Sequence, residues 1–97
     1  DRADADDAVR AVIVTGAAVG IGTAYAKAMA REGCNVAVID LRPEIAALPT
    51  ELERQGVKAF AMQGDVSDPA TVRRFVDAAA ARFGGVDILI NNAGQCW

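Results

Sequence analysis

Histidine is absent from the 97-residue chain. That removes imidazole acid–base chemistry and the commonest metal ligand. Cysteine is scarce: Cys34 and Cys96 are the two, and they form no CxxC pair. Two isolated thiols cannot build a structural zinc site, and no metal is expected. They read as a small buried thiol at a strand start and a thiol near a chain end, not as a disulfide. No apolar run approaches the roughly 20 residues that a membrane-spanning helix needs. A basic excess is also lacking. The formal net charge of −3 argues against nucleic acid and anionic membrane as partners. The opening DRADADDAVR has neither the basic, apolar pattern of a secretory signal nor an initiator Met. Residues 1–8 read as a mobile acidic tail, residues 9–97 as one small domain, and the protein as cytoplasmic.

Apolar residues are plentiful, at 53% of the chain, which is enough for a core. Apolar runs alternate with amphipathic stretches, the pattern of βαβ units on a parallel sheet. The run Ala11-Val12-Ile13-Val14 predicts a first strand over 10–15, covered on both faces. Ile21, Ala24, Tyr25, Ala28 and Met29 recur at helical spacing and predict a helix over 20–32, stopped by Gly33. In that reading Tyr25 packs in the core. A second strand is expected over 35–40. Pro43 and Pro49 interrupt the segment after it, so a turn over 43–48 and a short helix from Pro49 to Gly56 are expected. A third strand is read over 57–62. Ser67 or Asp68 caps the next helix, with Pro69 in its first turn and a stripe of Val72, Phe75, Val76, Ala79, Ala80 and Phe83. Gly84-Gly85 closes it before a fourth strand over 86–91. Right-handed crossovers then give an α/β, Rossmann-like, doubly wound parallel sheet, partial, of about four strands in the order 3-2-1-4. Strand 4 is expected to be an edge, apolar on both faces, that invites pairing.

Chemistry converges on the carboxyl ends of these strands, where such folds bind ligands. TGAAVGIG, at 15–22, places Gly16, Gly20 and Gly22 between a strand and a helix. Gly16 permits a tight turn, Gly20 admits a phosphate to the backbone, and Gly22 lets helix and strand pack closely. The helix N-terminus then offers N–H groups and its positive dipole end to a diphosphate. The spacing is G-x-x-x-G-x-G; the bland reading is a turn with only a packing role. Asp40 ends strand 2, eighteen residues beyond Gly22. A carboxylate there accepts hydrogen bonds from a ribose 2′-OH and repels a 2′-phosphate. Arg42 lies close enough to accommodate a 2′-phosphate, but the glycine loop holds no Lys or Arg, so the balance favours NAD over NADP. Asp65-Val66 follows strand 3, and Asn91-Asn92-Ala93-Gly94 follows strand 4. Read alone, NNAG is a plain turn.

Together TGAAVGIG, Asp40, the GDVSD of 64–68 and the NNAG that comes after DILI resemble the short-chain dehydrogenase/reductase family. The resemblance runs over 10–94 with the motifs in order. It implies that residues 16–22, including Ala18, Val19, Gly20 and Ile21, hold the pyrophosphate side of the cofactor. Asp40 and Leu41 would flank the adenosine ribose. Asp65 and Val66 would line the adenine pocket, the carboxylate facing the exocyclic amine. Asn92, Ala93 and Gly94 would contact the ribose nearer the nicotinamide, while Asn91 braces the sheet. The implied reaction is hydride transfer between a nicotinamide and a small alcohol or ketone, in a homo-oligomeric full-length protein.

The family's catalytic Ser and Tyr-x-x-x-Lys pair do not occur after NNAG in these residues. Tyr25, the only tyrosine, is followed four positions later by Met29. No catalytic residue carries over, and these 97 residues alone are expected to be inactive. A competing reading is a non-catalytic dinucleotide-binding module, truncated or dependent on a partner. A third is a methyl-donor-binding domain, which shares the glycine turn and strand-2 acid; NNAG argues against it.

Overall fold

The computed structural model describes residues 10–16 and 20–91. They form β1 (Ala11–Thr15), α1 (Gly20–Arg31), β2 (Asn35–Asp40), a 3-10 turn (Pro43–Ala47), α2 (Leu48–Glu53), β3 (Ala59–Gln63), α3 (Pro69–Phe83) and β4 (Ile88–Asn91). The strands make one parallel sheet in the expected order, β3-β2-β1-β4. Pro49 sits in the first turn of α2, where its missing N–H costs nothing.

The strands' two-residue period sorts their side chains into two layers. Val12, Val14, Val36 and Val38 pack with Ala26, Ala30, Ile45, Leu48 and Leu52 from α1, the 3-10 turn and α2. Ile13, Ala37 and Ile39 face the other way, onto Phe75 and Ala79 of α3. Fully burying a valine or isoleucine is worth about 2 kcal/mol. The half-exposed Lys27–Glu51 ion pair, 3.2 Å long between α1 and α2, contributes tenths by comparison. The two apolar layers therefore hold the fold. On the outer side of β3, the Phe60 ring stacks at 6.1 Å on Phe75, with the Arg82 guanidinium 4.3 Å over Phe60.

The buried face of α1 differs from the stripe read in the sequence. Gly22, Ala26 and Ala30 are the residues turned into the sheet. Tyr25 is 43% and Ile21 64% exposed, so Tyr25 is not a core residue. Close approach of a helix to a twisted sheet demands small side chains at the contact, and the larger ones are displaced outward. Strand ends also shift, for a shared reason. Asn35 Oδ1 accepts the Lys58 N–H at 2.9 Å, so β3 begins at Ala59. Asp87 Oδ2 accepts the Ala11 N–H at 2.9 Å, so the regular β4 ladder begins at Ile88. At each start a polar side chain takes one amide donor, beside the main-chain bonds from Val36 N–H to the Lys58 carbonyl and from Asp87 N–H to the Ala11 carbonyl. Among the described residues β4 is an edge; Leu89 is 63% exposed while Ile88 and Ile90 lean on the α1 layer.

Capping of α3 resolves onto Asp68. Its Oδ1 accepts from the Ala70 N–H at 3.1 Å and its Oδ2 from the Thr71 hydroxyl at 3.0 Å. Ser67 is engaged elsewhere, with Asp65. Asp68→Ala is expected to lower stability by about 1 kcal/mol, with Ser67→Ala nearly silent, in parallel urea melts; equal losses would contradict this assignment.

Candidate functional site

The two ends of the sheet are built differently. At the amino ends, Asn35 and Asp87 tie backbone to backbone and close the edge. At the carboxyl ends the chain turns away through glycine. Gly16, with φ of 67°, follows β1 and donates its N–H to the Ile39 carbonyl at 2.8 Å. Gly64 follows β3 and donates to the Asp40 carbonyl at 3.0 Å. A cleft of about 320 Å³ opens there, lined by Gly16, Asp40, Leu41, Gly64, Asp65, Val66 and Ser67.

The structure thus brings together five residues singled out in the sequence: Gly16, Asp40, Leu41, Asp65 and Val66. Gly20, Ile21 and Gly22 form the first turn of α1, which carries no acidic residue to offset the helix's positive end. Gly20 has a φ of 64°, a conformation that a side chain would strain. Ala18, Val19, Asn92, Ala93 and Gly94 lie outside the described residues, as do the 1–8 tail and Cys96. Asn91 lies within them. Its Oδ1 accepts from the Thr15 hydroxyl at 2.9 Å, joining β4 to β1 in the brace expected of it.

Local hydrogen bonds orient the cleft walls. Asp40 Oδ1 accepts the Arg42 N–H at 2.8 Å, which pins the carboxylate at the end of β2. Arg42 itself is not among the lining residues. Gln63 Nε2 donates to the Leu41 carbonyl at 3.0 Å, holding Leu41 at the rim with 65% of its surface exposed. Asp65 Oδ1 accepts from both the hydroxyl and the N–H of Ser67, at 2.7 and 2.9 Å. The Ser67 hydroxyl, and then its N–H, hold the exposed Asp65 carboxyl below its ordinary pKa. Cys34 is remote from all of this. Burial pushes its thiol up, which keeps it protonated and inert.

Gly64 and Ser67 are lining residues that sequence reasoning did not single out. Both stand in GDVSD, but only geometry shows their use. A Cβ on Gly64 would lie 2.7 Å from Thr71 Cγ2 and 3.6 Å from Ile39 Cδ1. Glycine here lets the strand end pass close to α3.

A family model described as short chain dehydrogenase matches residues 10–97. The chain is 41% identical over 87 residues to the oxidoreductase UcpA of Escherichia coli K12, covering 90% of this chain and 33% of UcpA. Among solved structures, L-sorbose reductase of Gluconobacter frateurii, complexed with NADPH and L-sorbose, superposes with a TM-score of 0.83 at 31% identity. That match covers 90% of this chain and 34% of the reductase. A 3-oxoacyl-[acyl-carrier protein] reductase of Brucella melitensis, in complex with NAD, gives 0.81 at 34% identity, with 90% and 34% covered. The chain spans about a third of the length of the curated relatives it matches.

Thr71 cannot swing aside for a side chain at position 64, because its hydroxyl is committed to Asp68 and also accepts from Arg74 Nη2 at 3.2 Å. Gly64→Ala should therefore cost about 1–3 kcal/mol in thermal unfolding. Adding Thr71→Ser, which removes Cγ2 and keeps the hydroxyl, should recover most of it; a neutral Gly64→Ala would show that the contact is not tight.

Proposed function

The chain belongs to the short-chain dehydrogenase family, and from that membership we propose that residues 10–94 are the NAD-binding portion of an oxidoreductase acting on an alcohol or ketone. The observation that carries this reading is the spatial order of the loops. The strand order β3-β2-β1-β4 sets Asp65-Val66, then Asp40-Leu41, then Gly16 and the α1 terminus along one edge of the sheet. A dinucleotide presents adenine, ribose and pyrophosphate in that sequence.

The residues present fit those groups. The Asp40 carboxylate suits a ribose diol and opposes a 2′-phosphate. The α1 terminus, with no acid in its first turn, suits the pyrophosphate. Asn92, Ala93 and Gly94, assigned by resemblance, would contact the second ribose. Bound there, the nicotinamide supplies the hydride chemistry. The described residues bind and orient; Tyr25, exposed on α1 and without a Lys four residues on, takes no part in proton transfer. The 97 residues alone therefore bind without turnover. The alcohol or ketone substrate, homo-oligomeric assembly and cytoplasmic location belong to this proposal for the whole protein. No helix among the described residues is long and apolar enough to cross a membrane.

Calorimetric titration with NAD and NADP is the test. NAD should bind more tightly than about 1 mM, and NADP more weakly than NAD. Asp40→Ser should weaken NAD roughly tenfold, the loss of a hydrogen bond to a charged group, and narrow the gap to NADP. Equal affinity of the unaltered chain for both dinucleotides would overturn the assignment of Asp40.

A further inference from the structure

Two aspartates three residues apart serve the loop between β3 and α3 in different ways. Asp68 spends both oxygens on the helix: Oδ1 on the Ala70 N–H, Oδ2 on the Thr71 hydroxyl. Asp65 spends one. Its Oδ1 takes both donors of Ser67, and no described residue engages Oδ2. Asp68 does not line the cleft, whereas Asp65 and Ser67 both do. A carboxylate held twice through one oxygen, with the second left for the cleft, is arranged to accept a hydrogen bond from outside the chain.

An ionised carboxylate only accepts. Facing position 6 of a purine, it is satisfied by an exocyclic amine and repelled by a carbonyl. Asp65 is exposed, so without a tether its side chain would have to be immobilised at the moment of binding. Ser67 does this in advance, and affinity gained by pre-organisation is affinity not lost to ordering. The bonds are stronger to the ionised form of Asp65, and so they favour it.

We propose that Ser67 is a positioning residue that sets the base preference of the cleft: by tying down one oxygen of Asp65 it presents the other to a 6-amino group, selecting adenine dinucleotides over 6-oxopurine ones. This rests on the dinucleotide reading above and adds to it a residue and a selectivity. Ser67 acts through Asp65, and its loss shows in discrimination between bases, not in the stability of the fold.

The pH dependence has a definite sign. The carboxyl of Asp65 is depressed in the folded chain, so the preference is fully present above its ordinary titration range. It is lost as pH falls through the folded value. Removing the Ser67 hydroxyl raises that value and moves the loss to higher pH.

The experiment measures binding of NAD and of nicotinamide hypoxanthine dinucleotide to the unaltered chain, Ser67→Ala and Ser67→Thr. Carboxyl carbon NMR of Asp65 in the ligand-free proteins runs alongside. The unaltered chain should prefer NAD. Ser67→Ala should cut the preference about tenfold, the lower end of what one hydrogen bond to a charged group is worth, and Ser67→Thr should restore it. The Asp65 titration should move upward in Ser67→Ala alone. An unchanged preference in Ser67→Ala, or equal binding of both dinucleotides by the unaltered chain, overturns the role of Ser67 and leaves the dinucleotide site standing. Failure of the unaltered chain to bind either dinucleotide overturns both.

Discussion

The structure depends on β1 being buried on both faces. All five of its residues are buried, and it stands between β2 and β4 with a helical layer available on each side. A parallel strand in that position cannot alternate polar and apolar residues, and AVIVT does not. The chain leaving it must clear two layers at once, which a left-handed glycine at position 16 makes possible. Placement of α1, and with it the helix end that would face a diphosphate, is set by that turn.

The same constraint makes the two edges of the sheet unequal. Asn35 and Asp87 use side-chain oxygens to satisfy backbone N–H groups at the amino ends. At the carboxyl ends, one carboxylate sits on the last rung and one beyond it, each held by an N–H group of the loop that follows: Asp40 by Arg42, Asp65 by Ser67. Such turns fix a negative charge without burying it, so its desolvation is deferred until a ligand arrives. A dinucleotide laid along this edge meets groups oriented before it binds.

Much of this was legible in the sequence, because the informative residues obey local rules. Continuous apolar runs marked the strands, prolines marked helix starts, and the strand–glycine–helix succession marked the edge where the cleft opens. What was not legible depends on tertiary distance. Nothing local distinguishes the Gly22, Ala26 and Ala30 face of α1 from the Ile21 and Tyr25 face; the choice is made by how near the helix must lie to β1. Whether Ser67 or Asp68 caps α3 is likewise undecided by composition, since both are good caps. It is decided because Asp65 claims the Ser67 hydroxyl. Strand ends at Ala59 and Ile88 moved for the same kind of reason, a side chain taking a backbone bond. Gly64 reads as a turn residue, and its contact with Thr71 becomes visible only once α3 is in place.

The central claim is that the carboxyl edge of this sheet holds the adenosine half of a dinucleotide. Amide chemical-shift mapping of the isotopically labelled chain, titrated with NAD, tests it most directly. Saturable shifts are predicted at Gly16, Asp40, Leu41 and 64–67, with the amino-edge residues Asn35, Lys58 and Asp87 unmoved. Shifts centred on the amino edge, or on the groove between Lys27 and Gln55, would contradict the account.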